Sequence, residues 1–152
     1  MTVALAVSAV NGLVFHSAYI AGMNAPRFND FLAQRRQTLD PDEKVIFIYD
    51  GAPAHQNPTI PAADTELEMP PYSPFLNIVE QAISSLKAAI KGDVSRKIQA
   101  RMDNRAEARR LGISLGEMRT RLLLHALQRC IAFRTAAKAY QWFRFMETYL
   151  PR

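Results

Sequence analysis

The stretch Val45-Ile-Phe-Ile-Tyr-Asp50-Gly-Ala-Pro-Ala-His55 joins an apolar run to a loop that begins with an acidic residue. Such a continuous apolar run is typical of a strand buried on both faces, usually central in a sheet with parallel neighbours. Asp50 then stands at the carboxyl end of that strand, where open α/β sheets bind ligands and metals. An aspartate before glycine is also common as a turn residue that bonds to its own loop, so both interpretations stay open.

The segments before and after this strand predict an α/β domain. Residues 2–10 and 13–20 are apolar and β-branched, and the Asn11-Gly12 between them predicts a hairpin. Residues 24–38 show helical spacing of Phe28, Phe31 and Leu32, which predicts a helix with those side chains buried. Residues 65–69 predict one more short strand. This order predicts a mixed sheet with helices packed on it.

The second half of the sequence reads as helical. Ser73 can cap a helix that has Pro74 at its first position, and the helical spacing predicts a buried stripe of Val79, Ile83, Leu86 and Ile90. A further basic helix should end at Gly112. Ser114-Leu-Gly-Glu117 is a capping box that opens the next helix, which should run through Cys130. An aromatic-rich last helix is expected over 136–150.

Charge is distributed unevenly along the 152 residues, whose formal net charge is +5. Residues 1–86 hold four basic and nine acidic side chains, a net charge of −5, whereas residues 87–152 hold fifteen basic and five acidic ones, a net of +10. This asymmetry favours carboxylate chemistry in the first part and contact with a polyanion in the second. A solvated helical surface explains the basic half equally well.

Cysteine content and hydropathy exclude several classes of protein. Cys130 is the single cysteine, which excludes an intramolecular disulfide and a cysteine-cluster zinc site. No apolar run approaches the ~20 residues that a membrane helix needs. The apolar opening lacks the basic start of a signal peptide, so we expect a protein that is not secreted. The host would decide between the nucleus of a eukaryote and the cytoplasm.

Two motifs together are more informative than their separate residues. The stretch from Val45 to His55 is followed by Met69-Pro-Pro-Tyr-Ser-Pro-Phe-Leu-Asn-Ile-Val-Glu80. The pair resembles the catalytic core of mariner-type transposases in the DDE endonuclease superfamily, whose pattern is strand-Asp-Asn-Ala-x-x-His and then Leu-Pro-Pro-Tyr-Ser-Pro-x-Leu-Asn-Pro-Ile-Glu. Three differences stand out, namely Gly51 for the usual Asn, Ile78 for Pro, and Ile83 for the Trp that the family carries three residues after the Glu. The resemblance covers about residues 1–91.

The resemblance implies a ribonuclease H-like fold that cleaves DNA phosphodiesters and transfers strands. It implies two Mg²⁺ or Mn²⁺ ions held by three carboxylates, because clustered carboxylates offset the repulsion between the two cations. Asp50 would be the second carboxylate and Glu80 the third, both catalytic and metal-binding. His55 and Asn77 match motif positions and would play supporting roles. DNA is the implied partner, and a full-length transposase or a second copy of the chain is another.

The family's first Asp lies on a strand that would precede Met1. We therefore expect a partial catalytic core over residues 1–91 that lacks the first strand, followed by a basic helical extension over 92–152. With two of three carboxylates, cation binding should be weak and strand transfer poor or absent, so enzymatic activity of this chain stays an open question.

A non-catalytic module that binds nucleic acid or a transposase is the alternative, and a remnant without present activity is a third. The nucleic-acid contacts would come from basic residues in two series, each with a spacing of four residues. They are Lys87, Lys91, Lys97, Arg101, Arg105 and Arg109.

Overall fold

Along the described residues a hairpin comes first, then one helix, then two further strands, and then the later helices. The computed structural model describes residues 1–8, 11–60, 64–71, 73, 76–97 and 105–147, with the backbone alone for 95–97 and 132–147. The elements are β1 (Thr2–Ser8), β2 (Gly12–Tyr19), α1 (Ala25–Gln37), β3 (Ile46–Tyr49), a 3-10 turn (Pro53–His55), β4 (Thr65–Glu68), α2 (Ile78–Lys97), α3 (Arg105–Arg110) and α4 (Leu115–Glu147). The predicted α/β class is confirmed.

Strands β1 and β2 form the predicted antiparallel hairpin. Thr2 lies opposite Tyr19 and Ser8 lies opposite Gly12. Gly12 has a φ of 73°, in the left-handed region that residues with a Cβ rarely adopt, and this explains glycine where the chain re-enters the ladder. A bulge between Ala6 and Val7 adds local twist to the ribbon.

Helix α1 packs against the strand before it in the chain, β2, and against the strand after it, β3. Its N-cap is Asn24, whose Oδ1 accepts a hydrogen bond from the backbone N–H of Arg27 at 3.1 Å. The ring of Phe31 lies 5.3 Å from that of Phe15 in β2, and the ring of Phe28 lies 5.6 Å from that of Tyr49 in β3. One helix face therefore joins the hairpin to the strand that precedes Asp50.

The main hydrophobic core lies between the hairpin and the later helices. Leu5 of β1, Ala82 and Leu86 of α2, and Leu127 of α4 form its buried cluster. The other members of the predicted α2 stripe, Val79, Ile83 and Ile90, pack against that cluster, which confirms the stripe. Burying this face is the main source of stability for a helix such as α2.

The prediction that the Val45–Tyr49 run is buried on both faces is wrong. β3 pairs in parallel with β4, as expected, with Ile48 opposite Leu67. Ile46 is 65% exposed and Ile48 is 58% exposed, while Phe47 and Tyr49 are half-buried. The ring of Tyr49, on one side of β3, contacts Phe28 of α1, whereas Ile46 and Ile48 lie on the other side, which carries no packed element in the described part of the chain. All four residues of β4 are exposed.

The expected mixed sheet is replaced by two small ones in the described residues. One sheet holds β1 and β2, and the other holds β3 and β4. The ladders of the two sheets do not join, because β1 and β3 each pair on a single side. β4 confirms the predicted short strand over 65–69.

Two helix boundaries differ from the sequence prediction and a third agrees with it. Helix α2 begins at Ile78 rather than at residue 74, because Asn77 supplies the cap through Oδ1, which accepts from the backbone N–H of Val79 at 3.1 Å. Helix α4 is one helix of 33 residues where two were expected, since no glycine or proline interrupts 131–135. The stop at Gly112, with a φ of 68°, is confirmed.

Candidate functional site

Asp50 directly follows the last residue of β3, and its carboxylate is held from one side. Oδ1 accepts a hydrogen bond from the backbone N–H of Ala52 at 3.2 Å, and it lies 2.7 Å from Nδ1 of His55. The Asp50 side chain is 45% exposed. Within the described residues Oδ2 accepts no hydrogen bond, so one carboxylate oxygen is fixed and the other is open to a ligand.

His55 closes the loop that follows β3. It ends the 3-10 turn Pro53–His55, and its Nδ1 lies 3.2 Å from the backbone carbonyl oxygen of Asp50 as well as near the carboxylate. Its ring is stacked against that of Phe28, with the centroids 4.1 Å apart and the planes at 30°. The His55 side chain is 22% exposed. Because its Nδ1 contacts two oxygens of Asp50, His55 stabilises the turn that the sequence predicted after that residue.

Glu80 and Asn77 lie at the beginning of α2. Glu80 is exposed in the first turn of the helix, where the positive end of the helix dipole favours a carboxylate. Asn77 caps α2, so its side chain is hydrogen-bonded to the first turn of the helix. In the described structure no hydrogen bond or ion pair joins Glu80 to Asp50, so their proposed pairing stays a prediction.

Glu68 is a carboxylate at this edge that the sequence reasoning did not single out. It is the last residue of β4 and lies opposite Tyr49 in the parallel ladder. Its Oε1 would be 2.6 Å from a Cβ added to Gly51. The signal was present in the sequence, because the carboxyl ends of parallel strands meet at one edge.

Tyr49 makes an exposed cross-strand contact next to this edge. Its hydroxyl donates to Oε2 of Glu66 at 3.0 Å. Burial, followed by that hydrogen bond, raises the pKa of Tyr49 to about 12. The phenol therefore stays neutral throughout the physiological pH range and acts as a donor within the sheet.

The match to a family model decides which family this arrangement belongs to. Residues 1–103 match the model of the DDE superfamily endonuclease, and that range is well over half of the chain. The chain belongs to the DDE superfamily of endonucleases. No curated protein and no solved structure matches it. The resemblance drawn from the two motifs is confirmed, and a nuclease role on DNA follows from the family.

The basic residues predicted to contact nucleic acid in this DDE endonuclease lie on two helices, α2 and α3, where the structure describes them. Lys87 and Lys91 are exposed on α2, four residues apart, and Arg105 and Arg109 are exposed on α3. Lys97 ends α2, and Arg101 lies outside the described residues. None of the helices in the described ranges is long and apolar enough to span a membrane.

The family uses divalent metal ions, and Asp50 offers suitable chemistry for one. Carboxylate oxygen is the donor that Mg²⁺ prefers, and Mg²⁺ is commonly held by one or two carboxylates, substrate phosphates and several waters. The open Oδ2 of Asp50 fits that pattern. Among the residues whose side chains are described, no three Asp, Glu, His or Cys side chains gather into a metal-binding group.

Proposed function

We propose that this chain carries part of a transposase-type catalytic domain that cleaves DNA phosphodiesters and transfers strands. The observation that supports this most is the Asp50 carboxylate, which has one oxygen held by His55 and Ala52 and the other oxygen open. It follows a strand that runs parallel to its neighbour, in a chain whose residues 1–103 match the endonuclease family. A ribonuclease H-like arrangement of the full domain is part of this proposal.

In this proposal each of four residues has a separate task. Asp50 and His55 follow β3, and Asn77 and Glu80 lie at the start of α2. Asp50 binds Mg²⁺ or Mn²⁺ through Oδ2, while His55 holds Oδ1 and so fixes the direction of the carboxylate. Glu80 supplies a further carboxylate, and Asn77 supports it by setting where α2 begins. Bound cations would activate the attacking hydroxyl and stabilise the leaving oxygen, two ions being the arrangement for in-line displacement.

The same proposal predicts that cation binding by this chain is weak. Two carboxylates do not offset the repulsion between two cations about 3.5–4 Å apart. Asp50 and Glu80 alone should therefore bind one ion at the most, and strand transfer that depends on these two carboxylates alone should be poor or absent. DNA as substrate would place the protein in the nucleus of a eukaryote or in the cytoplasm of a prokaryote.

Binding of Mn²⁺, followed by the loss of its free electron-paramagnetic signal, tests the proposal. Asp50→Asn should abolish saturable binding and Glu80→Gln should weaken it. Asp30→Asn is the matched control, because Asp30 is an exposed carboxylate on α1 that accepts a hydrogen bond from Gln34. Equal binding by the Asp50→Asn and Asp30→Asn proteins would contradict the assignment. Nicking of supercoiled DNA in Mg²⁺ or Mn²⁺ measures what activity the chain has.

A non-catalytic nucleic-acid-binding module is the second candidate, and the exposed basic residues of α2 and α3 favour it. Lys87, Lys91, Arg105 and Arg109 would contact phosphates without reading bases. Affinity for duplex DNA should then fall steeply with salt, and the double substitution Lys87→Gln/Lys91→Gln should lower the salt slope by about 2, or about 1 per lysine.

The two candidate functions respond differently to Asp50→Asn. That substitution should remove cation-dependent cleavage and leave duplex binding unchanged, since Asp50 lies on a strand edge and the lysines lie on α2. Affinity that barely changes between low and moderate salt would exclude phosphate contact. Association with a full-length transposase or a second copy is a further part of this second proposal, and co-sedimentation measures it.

A further inference from the structure

Phe28 is the aromatic side chain against which His55 is stacked. The two ring centroids are 4.1 Å apart at an interplanar angle of 30°, a tilted stack with close contact. Phe28 is 7% exposed and is fixed in α1, one turn after the Asn24 cap. Tyr49 approaches both rings, with its centroid 5.6 Å from that of Phe28 and 6.3 Å from that of His55. The imidazole is therefore held by its ring face.

The other constraint on His55 comes from Asp50 through a single ring nitrogen. Nδ1 lies 2.7 Å from Oδ1 of Asp50 and 3.2 Å from its carbonyl oxygen. A carboxylate oxygen and a carbonyl oxygen both accept, so Nδ1 carries the hydrogen. The ring face set by Phe28 determines where that N–H points, and the N–H in turn holds Oδ1 of Asp50.

We propose that Phe28 is a positioning residue for Asp50, acting through the ring of His55. The aromatic face fixes the imidazole, the Nδ1–H fixes Oδ1, and Oδ2 is thereby directed outward toward a cation. This inference rests on the proposed function, since directing Oδ2 matters only when Asp50 binds a metal. It adds a residue of α1, outside both sequence motifs, to the site.

Phe31 provides a matched control for Phe28. Both are buried phenylalanines on α1, at 7% and 5% exposure, and both contact another aromatic ring. Phe31 contacts Phe15 of the hairpin, whereas Phe28 contacts His55. Phe28→Leu and Phe31→Leu should thus lower the melting temperature by similar amounts, while the Asp50 site senses only the first.

The first measurement is the affinity for Mn²⁺ by paramagnetic titration of the full chain. Partners that orient a metal ligand typically change affinity 10–100-fold. Phe28→Leu should weaken binding on the order of tenfold, His55→Ala should weaken it at least as much, and Phe31→Leu should leave it unchanged. Phe28→Tyr keeps the aromatic face and should restore most of the affinity.

The second measurement is the ¹⁵N spectrum of the His55 ring, which does not depend on a metal. The unmodified chain should show the hydrogen on Nδ1, Phe31→Leu should keep that spectrum, and Phe28→Leu should give a mixture of tautomers. Asp50-dependent Mn²⁺ binding that responds equally to Phe28→Leu and Phe31→Leu would overturn the positioning role alone. Absence of Asp50-dependent binding in the unmodified chain would instead contradict the proposed function, and the inference with it.

Discussion

Nε of Arg36 lies 2.9 Å from Oδ2 of Asp64, and the Asp64 side chain is completely buried while that of Arg36 is 15% exposed. Within the described ranges Oδ2 accepts no aligned hydrogen bond, so the attraction between opposite charges is what offsets its burial. Oδ1 of Asp64 accepts from the backbone N–H of Val45 at 3.4 Å. The pair therefore connects the end of α1 to the starts of β3 and β4.

Arg36 also organises the loop between α1 and β3. Its guanidinium donates to three backbone carbonyl oxygens at 2.9–3.0 Å, those of Asp40, Pro41 and Glu43. A planar group with several donors suits this role, whereas a lysine would supply a single point charge. The geometry of the Asp50 edge thus depends on a contact at the opposite end of the same strands.

Arg36→Ala should lower the free energy of unfolding by about 3–5 kcal/mol, because it leaves the Asp64 carboxylate buried without its counter-charge. Urea denaturation followed by circular dichroism measures this. Arg35→Ala is the control: Arg35 precedes it on α1 and donates to the hydroxyl of Thr38 at 2.6 Å, an exposed contact. The double substitution Arg36→Met/Asp64→Leu should recover much of the loss, and failure to recover any would contradict the electrostatic explanation.

The raised pKa of Tyr49 predicts a loss of stability at alkaline pH. The unfolded phenol titrates near 10, while burial and the Glu66 hydrogen bond raise the pKa of Tyr49 to about 12 in the folded chain. Below pH 10 the phenol is protonated in both the folded and the unfolded chain, so its contribution to the free energy of unfolding is fully present. Between 10 and 12 the unfolded state loses the proton first, so the free energy of unfolding falls as pH rises.

Comparison with Tyr49→Phe isolates this effect from the other titrating groups. The difference in tyrosinate absorbance between the two proteins should titrate near pH 12, and the stability of Tyr49→Phe should fall less over that interval. A difference spectrum that titrates at pH 10 would contradict both the burial of the Tyr49 phenol and its contact with Glu66.

Leu127 and Ile48 should respond very differently to substitution. Leu127 is 2% exposed in the core between the hairpin and the helices, so Leu127→Ala should cost about 2–5 kcal/mol. Ile48 is 58% exposed, and Ile48→Thr keeps a β-branched side chain, so it should change stability by about 0.5 kcal/mol or less. Thermal unfolding compares them, and a large loss for Ile48→Thr would mean that its face is covered in solution.

Gly51 and Glu68 should be energetically coupled. A Cβ at position 51 would come within 2.6 Å of Oε1 of Glu68, so Gly51→Ala requires that carboxylate to move. Because it is the mobile end of an exposed side chain, we expect a cost of about 1 kcal/mol or less. In the Glu68→Ala background the cost should vanish, and a double-mutant cycle measures the coupling. Additive effects would contradict the contact.

Local signals in the sequence determined the secondary structure around the site. Asn11-Gly12 specified the hairpin, the spacing of Phe28 and Phe31 specified α1, and Ser114 specified the start of α4, where its Oγ accepts from the N–H of Glu117 at 3.1 Å. These features depend on neighbours close in the chain, whose geometry is fixed by backbone bonding. The two motifs that contain Asp50 and Glu80 likewise indicated the family, since residue types in fixed order suffice for that.

Tertiary structure alone decided what surrounds each strand and each carboxylate. The stack of Phe28 on His55 and the burial of Asp64 beside Arg36 bring together residues that lie far apart in the chain. The exposure of Ile46 and Ile48 depends on which element covers each face of β3. An apolar run reports the potential for burial but not the presence of a covering layer. The sequence therefore indicated candidate residues for the chemistry, whereas long-range packing determined which of their oxygens and ring faces are held.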